Sequence, residues 1–452
     1  MRTSVVSAGF AAMLVASASP RSLAGQGLLT DARRAGMGGV SLTLDGSLTR
    51  YNPAYRAVPS RAVHGGAKAT IPIPLGLIQF FHNHPISNLT KDPLFNPDSA
   101  SFNPIELLNT VLHLPLFYEV KKIPTPTNDV AFGVGRDSFQ VDLGKAQSLI
   151  PADQFGIGGS SRPLSIGPSF HGVSIGVTGW LHDDVAFELG DSLLAFLKEG
   201  HKAQHQTSYD VLGDVLVEGG FAPSVSYAGR LYGNEDRGLY LGGGAHYYVG
   251  VAYGHSVGLG GFTTGNTIFA GPSPVTPELS GTTSYSKYGN SFGHGVGFDV
   301  GLAWVTGPIT FGFGVNDVGA TITWPDTRID YVKYDTSTNK FATDSSKLGV
   351  ETKTKLPVSY LANVIYTLAG TTVGADILDN GRGTTVHVGA EQRFGPFAVR
   401  GGVARDQRKR VELGAGGGLR FGPFGFDVGF WTHSNALSDQ RGITMATSLS
   451  IY

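Results

Sequence analysis

GHGVGFDVGLAW, residues 293–304, decides the fold. Side chains alternate sides along an extended chain, so Val296, Phe298, Val300, Leu302 and Trp304 share one face. Gly295, Gly297, Asp299, Gly301 and Ala303 share the other. The next segment repeats the pattern, with Ile309, Phe311, Phe313 and Val315 opposite Thr310, Gly312, Gly314 and Asn316. Further along, Val386, Val388 and Ala390 oppose His387, Gly389 and Glu391, and Phe424, Phe426, Val428 and Phe430 oppose Gly425, Asp427 and Gly429. Between them, Val411, Leu413, Ala415 and Leu419 oppose Glu412, Gly414, Gly416 and Arg420. A secreted sandwich or solenoid would also alternate, but its second face is usually rich in Thr, Lys and Glu. Glycine with isolated charges of both signs suits the lumen of a barrel whose apolar face meets lipid. The expected fold is all-β, a transmembrane antiparallel β-barrel with a few short helices in its loops.

The connections give its orientation. Phe394-Gly395-Pro396-Phe397 and Phe421-Gly422-Pro423-Phe424 repeat one turn sequence, and Gly307-Pro308 supplies another. Gly and Pro provide tight-turn dihedrals. The opposite ends are longer and polar: 377–383, 406–410, 432–442 and a large segment, 319–355, read as a loop. Outer-membrane barrels have short periplasmic turns and long extracellular loops, so the Gly-Pro turns should be periplasmic. Strand-like segments between Ala62 and Ile451 fall one short of an even number, and single-chain bacterial barrels have even numbers. One more strand is therefore expected within 71–169, at Asp129 to Phe139, for a total of about 14.

Composition agrees. Of 452 residues, 65 are Gly and only 15% are charged, while 26 Phe and 17 Tyr leave ample apolar surface to bury. That excludes wholesale disorder, and the Gly lacks the three-residue period of collagen. Lys and Arg number 34 against 35 Asp and Glu, so no basic excess points to nucleic acid. The chain has no Cys, which removes disulfides, thiolate metal sites, a Cys nucleophile and a lipid-modified N-terminal Cys. Residues 1–24 read as a secretory signal: Arg2 supplies the positive region, Val5 to Ala18 the apolar region, and Ser22-Leu23-Ala24 the small-residue cleavage site.

Ala32-Arg33-Arg34-Ala35-Gly36-Met37-Gly38-Gly39-Val40, then Asp45, then Asn52-Pro53-Ala54 follow that signal. This series resembles the N-terminal signature of the FadL/TodX-like superfamily of long-chain fatty-acid outer-membrane transporters, which includes related barrels of type IX secretion and conjugal-transfer systems. Phe298-Asp299-Val300-Gly301-Leu302, Leu356-Pro357, Val386-His387-Val388-Gly389-Ala390-Glu391 and Arg400-Gly401-Gly402 also resemble those barrels. The resemblance implies a plug, or hatch, over 25–60 inside a 14-stranded barrel over 61–452, with 71–169 an unassigned insertion. The plug motif is Gly36, Met37, Gly38, Gly39, Asp45, Asn52, Pro53 and Ala54. Two departures stand out: Tyr55-Arg56 replaces the family's Gly-Leu, and Gly46 replaces a second acidic residue. The chain ends in the aromatic Tyr452, as signals read by the barrel-assembly machinery often do, though Met445, Leu449 and Ile451 set a different phase.

Alternation assigns Asp299, His387, Glu391, Arg393, Arg400, Glu412, Arg420 and Asp427 to the lumen. An Arg at the lipid midplane would cost about 2 to 4 kcal/mol, whereas in the lumen charges can pair or stay wet. Their expected role is to hold the plug or wall. His82-Asn83-His84 and the pair His201 and His205 lack a third ligand, so no metal site is expected. Gly242 to Gly244 and Gly416 to Gly418 lack the Lys-Ser/Thr of a phosphate loop, and no Gly-x-Ser-x-Gly elbow is present. The chain reads as a non-enzyme without a cofactor. Ile105 to Leu116 and Asp191 to Lys198 have helical apolar spacing and either receive a ligand or pack on the rim.

The expected function is passive uptake of hydrophobic or amphipathic, fatty-acid-like small molecules through the bacterial outer membrane. The alternative is a non-transporting scaffold of a secretion system whose loops hold a partner protein.

Overall fold

Gly307, Gly395 and Gly422 open two-residue turns at positive φ, a region that costs glycine nothing, and proline follows each at a fixed φ. The flanking residues pair directly: Thr306 with Ile309, Phe394 with Phe397 and Phe421 with Phe424. These hairpins set a ladder that runs through most of the chain. The computed structural model describes residues 32–41, 47–59, 69–73, 75, 82, 116–119, 131–135, 138–142, 155–198, 202–267, 275–286, 291–335, 340–407, 409–434 and 440–451.

The strands are β1 (Ala69–Ile73), β2 (Leu116–Glu119), β3 (Ala131–Gly135), β4 (Ser138–Asp142), β5 (Phe155–Ile166), β6 (Ser169–Phe170), β7 (Val173–Leu189), β8 (Ser208–Gly233), β9 (Arg237–Thr264) and β10 (Val275–Ser286). They continue with β11 (Gly293–Thr306), β12 (Ile309–Asp335), β13 (Lys340–Lys355), β14 (Ser359–Leu368), β15 (Thr371–Asp379), β16 (Thr384–Phe394), β17 (Phe397–Arg405), β18 (Val411–Phe421), β19 (Phe424–Ser434) and β20 (Gln440–Ile451). Among the described residues, all but β3 and β4 belong to one 18-stranded sheet. Among the described residues every pairing in it is antiparallel, and β1 pairs with β20, so the first and last strands meet. β5 and β6 share one edge of β7, and β1 and β2 share one edge of β20. β10 and β13 pair only with the upper parts of β9 and β12, which leaves fourteen wall positions.

The faces follow the alternation. On β11, Val296, Phe298, Val300, Leu302 and Trp304 point outward and are 41 to 53% exposed, while Asp299, Ala303 and Val305 are buried inside. The same holds on β16, where Val386 and Val388 are exposed and Thr385, His387 and Glu391 are buried.

Three expectations need correction. The segment Asp129 to Phe139 is not a wall strand: it spans β3 and the start of β4, which pair only with each other. The remaining wall position falls to β5 and β6, whose Gly158 and Gly159 at positive φ obscured the strand pattern. Nor is 319–355 mostly a loop. β12 continues to Asp335, and β13 pairs along it from Lys340 to Lys355, because Ile322, Trp324, Val332 and Leu356 give even this polar stretch a buried side. The strands at Phe221 and Leu239 likewise belong to longer β8 and β9, so a tall sheet rises above one side of the rim. Against its top packs a helix, Asp191–Lys198, whose Leu193, Phe196 and Leu197 meet Tyr209 and Phe262. This is rim packing. Among the described residues no helix is long and apolar enough to cross a membrane. The signal segment, Asp45, His84, His201, Tyr452 and most of Ile105 to Leu116 lie outside the described residues.

Candidate functional site

Two pieces of the chain's own N-terminal segment pack against the inner face of the sheet. α1 (Ala32–Gly36) ends in a turn at Gly38 and Gly39, both at positive φ, where the amides of Met37, Gly38 and Gly39 return to carbonyls of α1. All of Ala32 to Ser41 is buried. α2 (Ser47–Tyr51) leads into a short 3-10 turn, Pro53–Arg56. Asn52 caps that turn by accepting from the Ala54 amide at 3.0 Å, with Pro53 in the first position, where a missing N–H costs nothing.

These pieces sit against the glycine face of the wall, so close that a Cβ would collide. Gly389, Gly402 and Gly414 face the backbone of Met37 and Gly38; Gly416 faces Gly36, and Gly429 faces Ala32. On the other side Gly301 and Gly314 face Asn52 and Tyr51, Gly242 faces Pro53 and Ala54, and Gly312 faces Tyr55. Close backbone approach explains the glycines of both the wall and the motif.

Polar groups complete the seating. The Arg33 guanidinium donates twice to Glu391, each bond 2.9 Å, and Glu391 also accepts from Arg400 at 2.6 Å and Arg393 at 2.8 Å. Arg400 extends the network to Asp427 at 2.7 Å. The Ser41 amide donates to Asp376 at 2.6 Å, and Asp376 also holds His387. The second piece is tied more often through neutral groups: Asn52 Nδ2 donates to the Leu302 carbonyl at 2.9 Å, Asn316 Nδ2 to the Tyr51 carbonyl at 2.8 Å, and Asn363 Nδ2 to the Tyr55 hydroxyl at 2.7 Å. The cationic Arg56 reaches the Ser226 hydroxyl.

β5 contributes from the wall. Arg162 points inward, donates to Asp299 and Asp317 at 2.8 Å each, and reaches the Arg50 carbonyl at 3.1 Å. His246 Nε2 lies 2.6 Å from Asp299, and the Tyr248 hydroxyl donates to Asp317. Between this cluster, Arg56 and Ser224 there remains about 10 Å³, room for roughly one water.

Above it lies an aromatic cluster. Trp180 meets Tyr248 edge-on at 5.6 Å, and Tyr253 stacks on Trp324 at 5.2 Å, with Ile322, Leu356 and Leu216 beside them. Trp324 Nε1 donates to Glu218 at 3.2 Å, and this fully buried carboxylate also holds His182 at 2.8 Å. The upper interior is thus largely aromatic around one hydrogen-bonded carboxylate, with the buried Trp180 indole N–H left without a partner.

Of the charges expected in the lumen, Glu391, Arg393, Arg400 and Asp427 form the Arg33 network, while His387 and Asp299 belong to the other two clusters. Glu412 is buried higher on β18. Arg420 sits at the Gly-Pro end and donates to the Gly422 carbonyl at 3.2 Å. Sequence reasoning missed Arg162, Asp317, Glu218 and Trp324. Asp317 lies at a register shift with positive φ, so the period-two count loses its phase there. Arg162 follows the two strand-masking glycines. Arg33 stood in the quoted motif, but no spacing in the sequence links it to a partner 358 positions away. Among the described residues no group of carboxylates and imidazoles could hold a metal ion.

No known protein family matches the chain, and no curated protein does. Among solved structures it is similar to the CymD monoaromatic hydrocarbon channel, with 14% identity, 66% of this chain and 86% of that chain covered, and a TM-score of 0.33. It is also similar to the Pseudomonas putida toluene transporter TodX, with 11% identity, 72% and 95% covered, and a TM-score of 0.30. A Pseudomonas aeruginosa FadL homologue shows 12% identity, 66% and 87% covered, and a TM-score of 0.32. Overlap at this level says nothing about cargo.

Proposed function

We propose that the protein is an outer-membrane channel that passively admits hydrophobic or amphipathic small molecules, with residues 25–60 as its plug. The observation that carries the membrane placement is the outward apolar belt. Exposed Val296 to Trp304 on β11 cover roughly 20 Å along the barrel axis once strand tilt is included, close to the ~25 Å apolar band of such barrels. Phe170, Tyr232, Trp304, Phe394, Phe421 and Phe424 ring its lower edge beside the tight turns, as interfacial aromatics do. In water that surface would drive aggregation.

The case for a channel comes from the interior. The lumen is filled at mid-height by a separate N-terminal segment rather than by large wall side chains, so moving one segment would open it. The aromatic cluster above the segment suits an apolar guest better than an ion. Release then requires the 32–41 or 47–59 contacts to part. The fatty-acid-like character of the cargo belongs to this proposal.

The test is uptake into proteoliposomes of a fluorescent fatty acid and of a small aromatic hydrocarbon, by the full chain and by a deletion of residues 25–56. The deletion should still insert, and its permeability should rise severalfold. Equal permeability, with both forms inserted, would remove the plug from the proposal. A full chain that conducts neither tracer and co-purifies with a protein held on its tall rim would replace the channel with a scaffold.

A further inference from the structure

Above the apolar belt, β12 and β13 carry a mainly basic outer face, in which Glu351 stands among the lysines. Lys353 and Lys355 alternate outward from β13 while Thr352 and Thr354 turn inward, and Thr354 bonds the buried Glu218. Strand register sets Lys355 beside Thr321 and Lys353 beside Thr323, and Thr323 beside the exposed His294 of β11. Higher up, Lys347 lies over the outer face of Tyr331, its ammonium 5.5 Å from the ring centre, and exposed Lys333 follows Tyr331 by two on the same strand. Only Lys353 has an acidic partner, Glu351 at 3.2 Å; among the described residues no carboxylate pairs with Lys333, Lys347 or Lys355. On the opposite face an acid is already engaged. Asp330 is buried there and accepts from Arg328 and Ser346; burial opposes its charge, but those donors hold the carboxyl below the usual range.

The height of this face matters as much as its sign. On the continuous path of β14 and β13, the exposed Tyr360 marks the top of the belt, and Lys355 stands five residues beyond it. That is roughly 12 Å along the axis at the usual rise and tilt, and Lys347 stands roughly 30 Å up. On β11 the apolar Phe298 and Val296 run directly into His294, and on β12 Val318 runs into Thr321. On β11 and β12 the lowest part of the patch thus follows the belt directly. A ligand continuous with the membrane and anionic, with charge that begins just outside the apolar layer and extends up through a tall polar headgroup, matches both features.

We propose that this face of β11, β12 and β13 binds the phosphate groups of the phosphorylated glycolipid in the surrounding outer leaflet, with Lys355 and Lys353 lowest and Lys347 highest. The inference rests on the membrane placement proposed above. A fixed lipid there would brace the tall sheet, whose β13 edge is exposed from Ala342 to Gly349. An acidic polypeptide could also use the lysines but gives no reason for their continuity with the belt.

The test uses the full chain, first scored for insertion into liposomes and then titrated in detergent with lipopolysaccharide and with its enzymatically dephosphorylated form, bound lipid being read by native mass spectrometry. Wild type should retain the phosphorylated form and lose most of it on dephosphorylation. The triple variant K347Q/K353Q/K355Q should bind roughly tenfold or more weakly, on the basis that each lysine near an anionic surface contributes about 1 kcal/mol. The matching Lys→Arg variant should bind as wild type does, which separates charge from folding. Inserted protein that binds both lipid forms equally, or as well in the Gln variant, overturns the inference and leaves the barrel reading intact. A chain that fails to insert overturns both. Lysine-dependent binding of an acidic polypeptide, with no lysine-dependent glycolipid binding, also overturns it.

Discussion

The two halves of the N-terminal segment rest on the same kind of surface and are held by different chemistry. Residues 32–41 lie on the glycine face of β16 to β19, and residues 47–59 on that of β9, β11 and β12. The first half is fixed largely by charge, with Arg33 on Glu391 and the Ser41 amide on Asp376. The second is fixed mainly by carboxamides and carbonyls through Asn52, Asn316 and Asn363, with Arg162 reaching the Arg50 carbonyl. Shape therefore seats both halves, while polarity sets how each can come away. Glu391 keeps Arg393 and Arg400 when Arg33 departs, so its charge is not stranded. Asn316 has no such reserve: its Oδ1 is already without a partner, and losing Tyr51 would leave the buried carboxamide bare.

The largest effect should come from breaking the charged side at its centre. Glu391→Gln leaves Arg33, Arg393 and Arg400 around a neutral group, and stranding buried charge costs about 3 to 5 kcal/mol. Arg33→Gln should cost less, about 1.5 to 3 kcal/mol for charge-assisted bonds, because two guanidiniums remain on the carboxylate. Urea titration of the folded barrel, read by its gel mobility shift, gives both values. Equal losses would mean that Arg33 is not the removable member of the network.

Next in size is a shape test. At Gly402 a methyl group would meet the backbone of Met37 and Gly38, which cannot rotate away, whereas at Gly301 it would meet mainly the Asn52 side chain. Gly402→Ala should cost about 1 to 3 kcal/mol and lift residues 32–41, with Gly301→Ala less damaging. Hydrogen exchange over residues 32–41 measures the displacement. Protection unchanged in Gly402→Ala would show that the glycine face does not seat the segment.

How far this was legible in the sequence follows from the same contrast. Alternation on β11, β16 and β19 exposes the faces directly, because period two is a local property and glycine on one face marks a close neighbour. It does not identify that neighbour. That Gly402 meets Met37 and Glu391 meets Arg33 depends on tertiary folding bringing distant segments together, and local spacing carries no record of it. The wall strand β5 stayed hidden because Gly158 and Gly159 interrupt its pattern, and the tall rim because polar Thr, Ser and Lys on β13 read as loop. Asp299 was readable and its partner Arg162 was not, for the same reason.

The smallest effects should fall on the neutral side and sharpen the contrast through additivity. Tyr55→Phe removes one hydrogen bond, from Asn363, at a cost of about 1 kcal/mol, and Asn52→Ala removes the cap and the bond to Leu302 at about 1 to 2 kcal/mol. The Asn52 and Tyr55 side chains bond different groups, but the Tyr55 amide donates to the Asn52 carbonyl within one turn, so the double variant should depart from the sum by no more than about 1 kcal/mol. Arg33→Gln with Arg400→Gln should depart from additivity by more than that, because both guanidiniums act on one carboxylate. A segment held at one end by a shared charge and at the other by separate neutral bonds should release cooperatively at the first and piecemeal at the second. Additive behaviour at both ends would dissolve that distinction and make the segment one uniformly held insert.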